Sequence, residues 1–326
     1  IMEVVFMVKV TLKDDVVKEF QSGTTVMDIA KSIGMGLYKA ACLAKIDGET
    51  CDLRTPVTKD CHVEILTFDD EDGKKAFWHT TSHILAQAVK RLYPSAKLAI
   101  GPSIANGFYY DFDMAPLTRE DLDAIEKEMK KVIKENPPIE RYELPREEAI
   151  AYMKEKDEPY KVELIEDLPE DATISFYKQG DFTDLCAGPH LMSVKPIKAF
   201  KLTASSGAYW RGNENNKMLT RIYGTAYTKK ADLEERLKYL EEIKLRDHNR
   251  LGREMELFTT VDVIGQGLPL LLPKGAKIIQ TLQRWIEDLE DNEWGYVRTK
   301  TPLMAKSDLY KISGHWDHYK EGMFVL

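Results

Sequence analysis

Apolar and polar residues alternate with the period of a β-strand in two early segments, MVKVTL at residues 7–12 and CHVEILTF at residues 61–68. Such alternation predicts strands that bury one face. Residues 25–33 carry a short helical pattern, and the acidic stretch DDEDG at 69–73 predicts a linker. We therefore expect a small mixed module at residues 1–69 that binds or scaffolds, because it contains no paired carboxylates, phosphate loop or metal-ligand spacing.

A helix is predicted over residues 79–92, because its apolar residues share one arc of about 140°. These residues are Ile84, Leu85, Ala88, Val89 and Leu92. His79 and His83 are four residues apart and share a face roughly opposite that arc. One histidine on a helix is usually a satisfied core residue, but two that avoid the apolar face together favour a functional site.

Farther along, turn residues flank an aromatic strand in GPSIANGFYYDFD at residues 101–113. A second helix begins with Thr118 and Asp121 in capping-box positions and ends at Asn136-Pro137-Pro138. Strands and helices then alternate to about residue 228. The pattern predicts an α+β domain at residues 70–229.

The remaining sequence predicts two further parts. Residues 230–250 form a highly charged helix with a narrow apolar seam, which suits a connector between domains. Residues 251–326 begin another domain, with a strand and turn, a long amphipathic helix and a strand reaching Pro302. Phe324-Val325-Leu326 ends the chain inside an apparent strand, so we expect a fragment of a longer protein.

Composition and charge narrow the class. The chain has 326 residues, 43% hydrophobic and 31% charged, which indicates two or three globular domains. No apolar run is long enough to span a membrane, the start IMEVVFMVKV does not look like a signal peptide, and four cysteines suggest free thiols in the cytoplasm. The net charge of −8 argues against indiscriminate nucleic-acid binding, but residues 191–230 carry eight Lys or Arg and one acid. With interleaved aromatic residues, that block predicts either an RNA-binding face or an ordinary solvated surface.

Two short motifs carry chemistry, HTTSH at 79–83 and CAGPH at 186–190. Together they offer four donors with the spacing of a tetrahedral zinc site: His79, His83, Cys186 and His190. Four protein ligands leave no position for an activated water, so a structural zinc, or no metal and water-positioning histidines, fits as well. Asp184 is expected on the same side of a strand as Cys186. For Lys161 two interpretations are open: it stabilises an oxyanion or holds a phosphate, or it is an ordinary lysine at a strand edge.

These motifs, with DLCAGPH at 184–190 and GAYWRGNENNKMLTRIYGTA at 207–226, resemble the editing domain of bacterial-type threonyl-tRNA synthetases. The first segment resembles the ubiquitin-like (TGS, β-grasp) module that opens those enzymes. TKTPLMAKSDLYKISGHWDHYKEGMF at 299–324 resembles the start of their class II catalytic domain, whose antiparallel sheet would follow. Pro302 falls at the proline of the dimer-forming first motif.

The resemblance implies a homodimeric cytoplasmic ligase that uses ATP to attach threonine to tRNA(Thr), and a domain that hydrolyses mischarged Ser-tRNA(Thr). It implies that His79, His83, Cys186 and His190 line the editing pocket, that Tyr110 lies on its wall and that Lys161 contacts the terminal adenosine or a water. Asp184 would orient the substrate. Alanine-specific relatives hold zinc with the same four-residue pattern, whereas the threonine branch is expected to work without metal.

The sequence ends before the remaining class II motifs that hold ATP, before the zinc site that selects threonine and before the anticodon-binding domain, so we expect no aminoacylation by this chain alone. Two alternatives remain. One is a free-standing deacylase that edits in trans, which would normally lack residues 250–326. The other is a non-catalytic RNA-binding or regulatory protein built from the ubiquitin-like module and the basic block.

Overall fold

The computed structural model describes residues 6–265 and 267–325. The chain divides into two units, Ile1–Tyr239 and Leu240–Leu326. Residues 1–5, the start of the segment that does not look like a signal peptide, lie outside the described residues. So does Leu326, the last residue of the expected terminal strand.

The first module is a mixed sheet with one capped helix. In chain order its elements are β1 (Met7–Thr11), β2 (Val17–Gln21), β3 (Thr24–Thr25), α1 (Val26–Ile33), α2 (Met35–Ala40), β4 (Ala41–Ile46), β5 (Glu49–Cys51), β6 (Pro56–Val57) and β7 (Cys61–Thr67). Five strands pair in the order β2-β1-β7-β4-β5, with β1 and β7 parallel. Helix α1 begins after Thr25, whose side chain accepts a hydrogen bond from the Asp28 backbone N–H. Both predicted strands and the predicted helix are present.

The next part, up to residue 227, contains two more sheets. Its elements are α3 (Glu71–Leu92), β8 (Lys97–Leu98), β9 (Ser103–Ile104), β10 (Gly107–Asp113), α4 (Arg119–Glu135), β11 (Ile139–Glu143), α5 (Arg146–Glu155), α6 (Pro159–Glu166), β12 (Ser175–Gln179), β13 (Phe182–Leu185), β14 (Ala199–Tyr209) and β15 (Met218–Tyr227). One sheet has the order β14-β15-β10-β8, with β9 on β10, and the other has the order β11-β12-β13. The predicted mixed α+β class is confirmed. The predicted capping box of α4 is also present, and the helix ends at Asn136 in a left-handed conformation.

Helix α3 differs from its prediction in length and in burial. It begins at Glu71, inside the stretch predicted to be a linker. That stretch is packed, because a Cβ on Gly73 would lie 1.8 Å from the Thr67 carbonyl oxygen. The expectation of one buried face was also wrong: α3 contacts β10, β15 and α4, and additionally β4 and β7 of the first module. The histidine face is therefore covered, with His83 buried and His79 half-buried, whereas Leu92 of the predicted apolar arc is exposed.

The second unit is built mainly of helices. From the connector onward the elements are α7 (Lys230–Leu245), α8 (His248–Glu254), β16 (Phe258–Thr259), β17 (Leu270–Leu271), α9 (Pro273–Asn292), α10 (Ser307–Ile312) and α11 (His315–His318). The predicted connector helix is two helices, because Asp247 caps the start of α8. The long amphipathic helix is present as α9, but the strand expected to reach Pro302 is absent, and so is strand structure at residues 324–325. Among the described residues, no helix is both long and apolar enough to cross a membrane.

Candidate functional site

Four side chains named from the sequence meet between helix α3 and the loop after strand β13: His79, His83, Cys186 and His190. One donor atom from each lies within 4.8 Å of the other three. The two α3 histidines are one turn apart, which puts both on the side of the helix that faces this loop. Cys186 Sγ lies 3.3 Å from His79 Nε2 and 3.2 Å from His190 Nε2. The structure thus forms one cluster from residues 107 positions apart in sequence.

A hydrogen-bond network around Thr80 determines the tautomer of His190. The Thr80 hydroxyl donates its one hydrogen to the Ala76 carbonyl at 2.8 Å and accepts from the Leu191 N–H at 2.9 Å. The same oxygen lies 3.2 Å from His190 Nδ1 and can only accept there, so His190 carries its hydrogen on Nδ1. His190 Nε2 is therefore a free acceptor directed at the Cys186 thiol.

Burial keeps the cluster neutral. Loss of hydration lowers the pKa of His79 to about 4 and that of His83 to about 3, although the charge of Asp184 opposes both shifts. Burial also holds the pKa of His190 well below its usual range. The pKa of Cys186 is raised to about 12, first by burial and then by the Asp184 charge. Near neutral pH the site consists of unprotonated imidazoles and a thiol, and Cys186 is a poor nucleophile.

A charged group lies beside the cluster. Asp184, at the end of β13, is buried, and its Oδ1 lies 2.6 Å from Lys161 Nζ. Its Oδ2 accepts a 2.5 Å hydrogen bond from the Tyr110 hydroxyl and lies 3.6 Å from His83 Nε2. Burial alone would raise the pKa of Asp184, but the charge of Lys161, the neighbouring His83 and the hydrogen bonds from Lys161 and Tyr110 together outweigh it, so the pKa is lowered. Asp184 is therefore a carboxylate held by two neighbours.

Lys161 lies on a helix, so the strand-edge interpretation was wrong. Lys161 belongs to α6 and is only 3% exposed. Lysines are rarely buried to this extent unless they pair with an opposite charge, which Asp184 supplies here. Two cavities border the site. One of about 210 Å³ is lined by His79, Ser103 and Gly188-Pro189, and one of about 220 Å³ is lined by Lys161 and Asp184.

The sequence of the chain is similar to those of known families and proteins. A family model described as the TGS domain matches residues 8–67, and one described as the threonyl and alanyl tRNA synthetase second additional domain matches residues 174–223. A threonine–tRNA ligase of Clostridium botulinum (strain Alaska E43 / Type E3) is 66% identical over 321 residues, which are 98% of this chain and 50% of that relative. By sequence, nearly the whole chain is similar to threonine–tRNA ligases.

Two further relatives extend the match. Threonine–tRNA ligases of Clostridium perfringens (strain 13 / Type A) and Acetivibrio thermocellus are 64% and 56% identical to this chain, each over 98% of this chain and 50% of the relative. The chain therefore spans about half the length of the curated relatives it matches. The resemblance recognised from the motifs is confirmed.

The four-residue cluster is suited to a transition metal such as zinc. Three imidazoles and one thiol are zinc donors, and one donor atom from each lies within 4.8 Å of the others, so the side chains would have to move closer together to reach tetrahedral spacing. The Nδ1–H tautomer of His190 leaves its Nε2 lone pair available for a metal. Such an ion would convert Cys186 to a thiolate and would fill its coordination with protein ligands.

Sequence reasoning missed four residues that contact the cluster, its loop or their supporting side chains. Thr80 lies inside the HTTSH motif, where its hydroxyl between two histidines was the available signal. The Tyr177 ring packs on His190 with 4.3 Å between ring centroids, and Asp52 and Arg54 reach this region from the first module. Nothing local in the sequence points to those three, because each acts through a long-range contact.

The basic block at residues 191–230 is largely neutralised. Five of its eight basic side chains make ion pairs: Lys201, Arg211, Lys217, Arg221 and Lys230. Trp210 is buried and donates its indole N–H to Glu163, so its ring does not form a stacking platform. A continuous RNA-binding face over the whole block is therefore not formed.

Proposed function

We propose that the part of the protein at residues 70–229 is the editing domain of a threonine–tRNA ligase and that it hydrolyses Ser-tRNA(Thr). The buried cluster of three neutral imidazoles and a thiol, next to a Lys161–Asp184 pair, is the observation that carries the proposal. Serine lacks one methyl of threonine, which is worth only about 1–3 kcal/mol of discrimination in a binding pocket. A second site that hydrolyses the wrong ester supplies the missing accuracy.

The reaction is hydrolysis of an ester bond. Water attacks the seryl carbonyl carbon, its proton passes to a neutral imidazole, and the bond to the ribose oxygen of the terminal adenosine breaks. That oxygen leaves with a proton, so the products are serine and tRNA with a free hydroxyl. His79 is the best placed base, because it lines a cavity and is only partly buried, whereas His83 and His190 are buried.

The other residues bind and orient the ester. The Asp184 carboxylate can hold the ammonium group of the seryl moiety, and Tyr110 keeps that carboxylate in place. The ammonium of Lys161 can stabilise the oxyanion or contact the adenosine or its bound water. His83 and Cys186 complete the wall. In this scheme the residues work without metal, and a zinc ion held by the four donors would be structural.

The whole protein is proposed to attach threonine to tRNA(Thr) with ATP, as a cytoplasmic homodimer. We assign residues 1–69 to the TGS module, 230–250 to a linker and 251–326 to the start of the class II catalytic domain. Zinc and ATP would bind outside this chain in the full enzyme. The match to threonine–tRNA ligases continues through the last part of the chain, which disfavours a free-standing deacylase.

A lysine-lined cleft supports tRNA as the partner. A cavity of about 740 Å³ is lined by five lysines: Lys39, Lys74, Lys195, Lys198 and Lys229. Within the described part of the chain, none of the five makes an ion pair, and only Asp69 and Asp232 contribute acids to the lining. Unpaired lysines around a cleft attract a phosphate backbone. Three of these lysines, Lys195, Lys198 and Lys229, belong to the predicted basic block, and the cleft makes them available to RNA.

The proposal is tested with labelled Ser-tRNA(Thr) and Thr-tRNA(Thr). The chain should hydrolyse the seryl ester much faster than the threonyl ester. His79→Ala should lower the rate constant for the seryl ester by about 100-fold or more, because general-base catalysis contributes at least that much.

His62→Ala is the matched control, since His62 is an exposed histidine of the same unit and lies outside the cluster. Its rate should equal that of the parent chain. Equal stability of both esters with and without the protein would exclude the proposed function, and an unaffected His79→Ala variant would exclude the proposed base.

A further inference from the structure

The first module makes a polar contact with the wall of the His/Cys cluster. Arg54 lies after strand β5, and its Nη1 donates to both carboxylate oxygens of Asp52 at 2.8 Å. Its Nη2 donates to the carbonyl of Ile139 at 2.7 Å and to the carbonyl of Leu191 at 3.3 Å. One guanidinium therefore joins the first module to strand β11 and to the residue that follows His190.

Asp52 reaches the same wall through Tyr177. The Tyr177 hydroxyl donates to Asp52 Oδ2 at 3.3 Å, and both side chains are almost fully buried. The Tyr177 ring packs on the His190 ring, at 4.3 Å between centroids. It also fills the space beside Gly188, where a Cβ would lie 2.2 Å from the hydroxyl oxygen and φ is +75°. Tyr177 thus fixes the shape of the CAGPH loop from one side.

The opposite side of the loop is fixed by α3. The Leu191 N–H donates to Thr80, while the Leu191 carbonyl accepts from Arg54. The peptide groups after His190 are therefore held between the long helix and the first module. If the Arg54 side of this clamp were lost, His190 would keep Thr80 as a neighbour but lose the support that orients its ring.

We propose that Asp52 and Arg54 are positioning residues for the cluster, so that the TGS module completes the editing site. They touch neither the proposed ester nor its water. They act through Tyr177 and Leu191, which hold His190 and the loop that carries Cys186. The inference rests on the proposed function of the cluster, but its structural half can be measured without any substrate. The editing domain is accordingly not self-sufficient in this protein.

The test uses the whole chain with Arg54→Gln, Asp52→Asn, Tyr177→Phe and the double variant Asp52→Asn/Tyr177→Phe. Arg54→Gln should lower kcat for Ser-tRNA(Thr) about tenfold while KM changes little, because misplaced catalytic groups cost rate rather than tRNA binding. Asp52→Asn and Tyr177→Phe should each lower kcat less than Arg54→Gln does. The effect of the double variant should be smaller than the sum of the two single effects, because both substitutions weaken the same Tyr177–Asp52 contact.

Asp60→Asn is the matched control. Asp60 is a carboxylate of the same module that accepts from the Lys9 N–H, and it has no contact with the loop. This variant should leave kcat unchanged. If Asp60→Asn lowers kcat as much as Arg54→Gln does, the effect comes from general loosening of the module, and the positioning role is wrong.

Hydrogen–deuterium exchange supplies the second readout. Arg54→Gln and Tyr177→Phe should speed exchange in the peptide covering residues 186–192 and leave β10 and β15 unchanged. Unaltered exchange there, with unaltered kcat, would overturn the proposal. If the parent chain hydrolyses no ester but the exchange changes as stated, the proposed function fails while the clamp itself stands.

Discussion

The two units of the chain use apolar side chains in opposite ways. In the first unit, α3 is buried over most of its length, and Phe77, Ile84 and Leu85 are 0% exposed. In the second unit, α9 has an equally clear apolar face, yet Ile278, Leu282 and Trp285 are 46%, 54% and 61% exposed. Among residues 240–265 and 267–325, the only fully buried positions are Gly252 and Gly275.

The comparison teaches that amphipathic sequence specifies a helix but not its cover. The cover of α3 comes from two sheets and from α4, and Gln87 of α3 is hydrogen-bonded to Gln179 of the third sheet. Within residues 240–265 and 267–325, no element buries the apolar face of α9. The His/Cys cluster needs a covered helix like α3, because its neutral imidazoles depend on exclusion of water.

The largest expected effect separates the two units by stability. Leu85→Ala should lower the free energy of unfolding by about 2–5 kcal/mol, because it removes a fully buried side chain and leaves a cavity. Leu282→Ala makes the same chemical change on α9 and should cost less than about 0.5 kcal/mol, because the side chain is already hydrated. Urea denaturation, read by hydrogen–deuterium exchange of peptides from each unit, measures both. Similar losses for the two variants would contradict the contrast.

The same contrast explains how far the sequence could predict the fold. The strands of the first module, α4 with its capping box and the long helix α9 follow from local periodicity and capping, which are encoded in neighbouring residues. The start of α3 at Glu71 was missed, because an acidic run with glycine looks like a linker until Gly73 is seen packed against Thr67. The strands expected to reach Pro302 and to include residues 324–325 were predicted wrongly. A strand needs a neighbouring strand to pair with, and no local sequence pattern supplies one.

The four donors of the site could be predicted from the sequence, but the residues that support them could not. The spacing of HTTSH and CAGPH brought out the four donors, since one motif lies on a helix and the other on a tight loop. The contributions of Tyr177, Asp52 and Arg54 depend on contacts that span up to 137 positions, so no window of sequence contains them. Whether the two histidines face water or core also depended on the first module, which covers α3.

The second expected effect is a dependence of stability on pH confined to the first unit. The pKa values of His79 and His83 are lowered from 6.5 to about 4 and about 3 in the folded protein. At pH values between these lowered pKa values and 6.5, the histidines of the unfolded chain bind more protons than those of the folded chain. Stability is therefore complete above pH 6.5 and falls as the pH decreases, by up to about 1.4 kcal/mol per pH unit for each histidine.

Urea midpoints between about pH 7 and pH 5 measure this slope. His79→Gln should make it shallower, because one of the histidines that must remain neutral is gone. His62→Gln changes an exposed histidine and should keep the slope of the parent chain. Identical slopes in all three proteins would mean that the cluster is not the origin of the acid sensitivity.

The smallest expected effect comes from zinc, and it distinguishes a structural from a catalytic metal. Zinc bound by the cluster stabilises only the folded first unit, by about 2.7 kcal/mol at a free concentration one hundred times its Kd. Because four protein donors leave no coordination position for water, added zinc should raise the melting temperature while it slows hydrolysis of Ser-tRNA(Thr). Cys186→Ser should weaken the thermal shift, since a hydroxyl is a poorer zinc ligand than a thiolate. Chelation that abolishes hydrolysis, with recovery on adding zinc, would instead require an open metal site and would contradict the water-positioning role of the histidines.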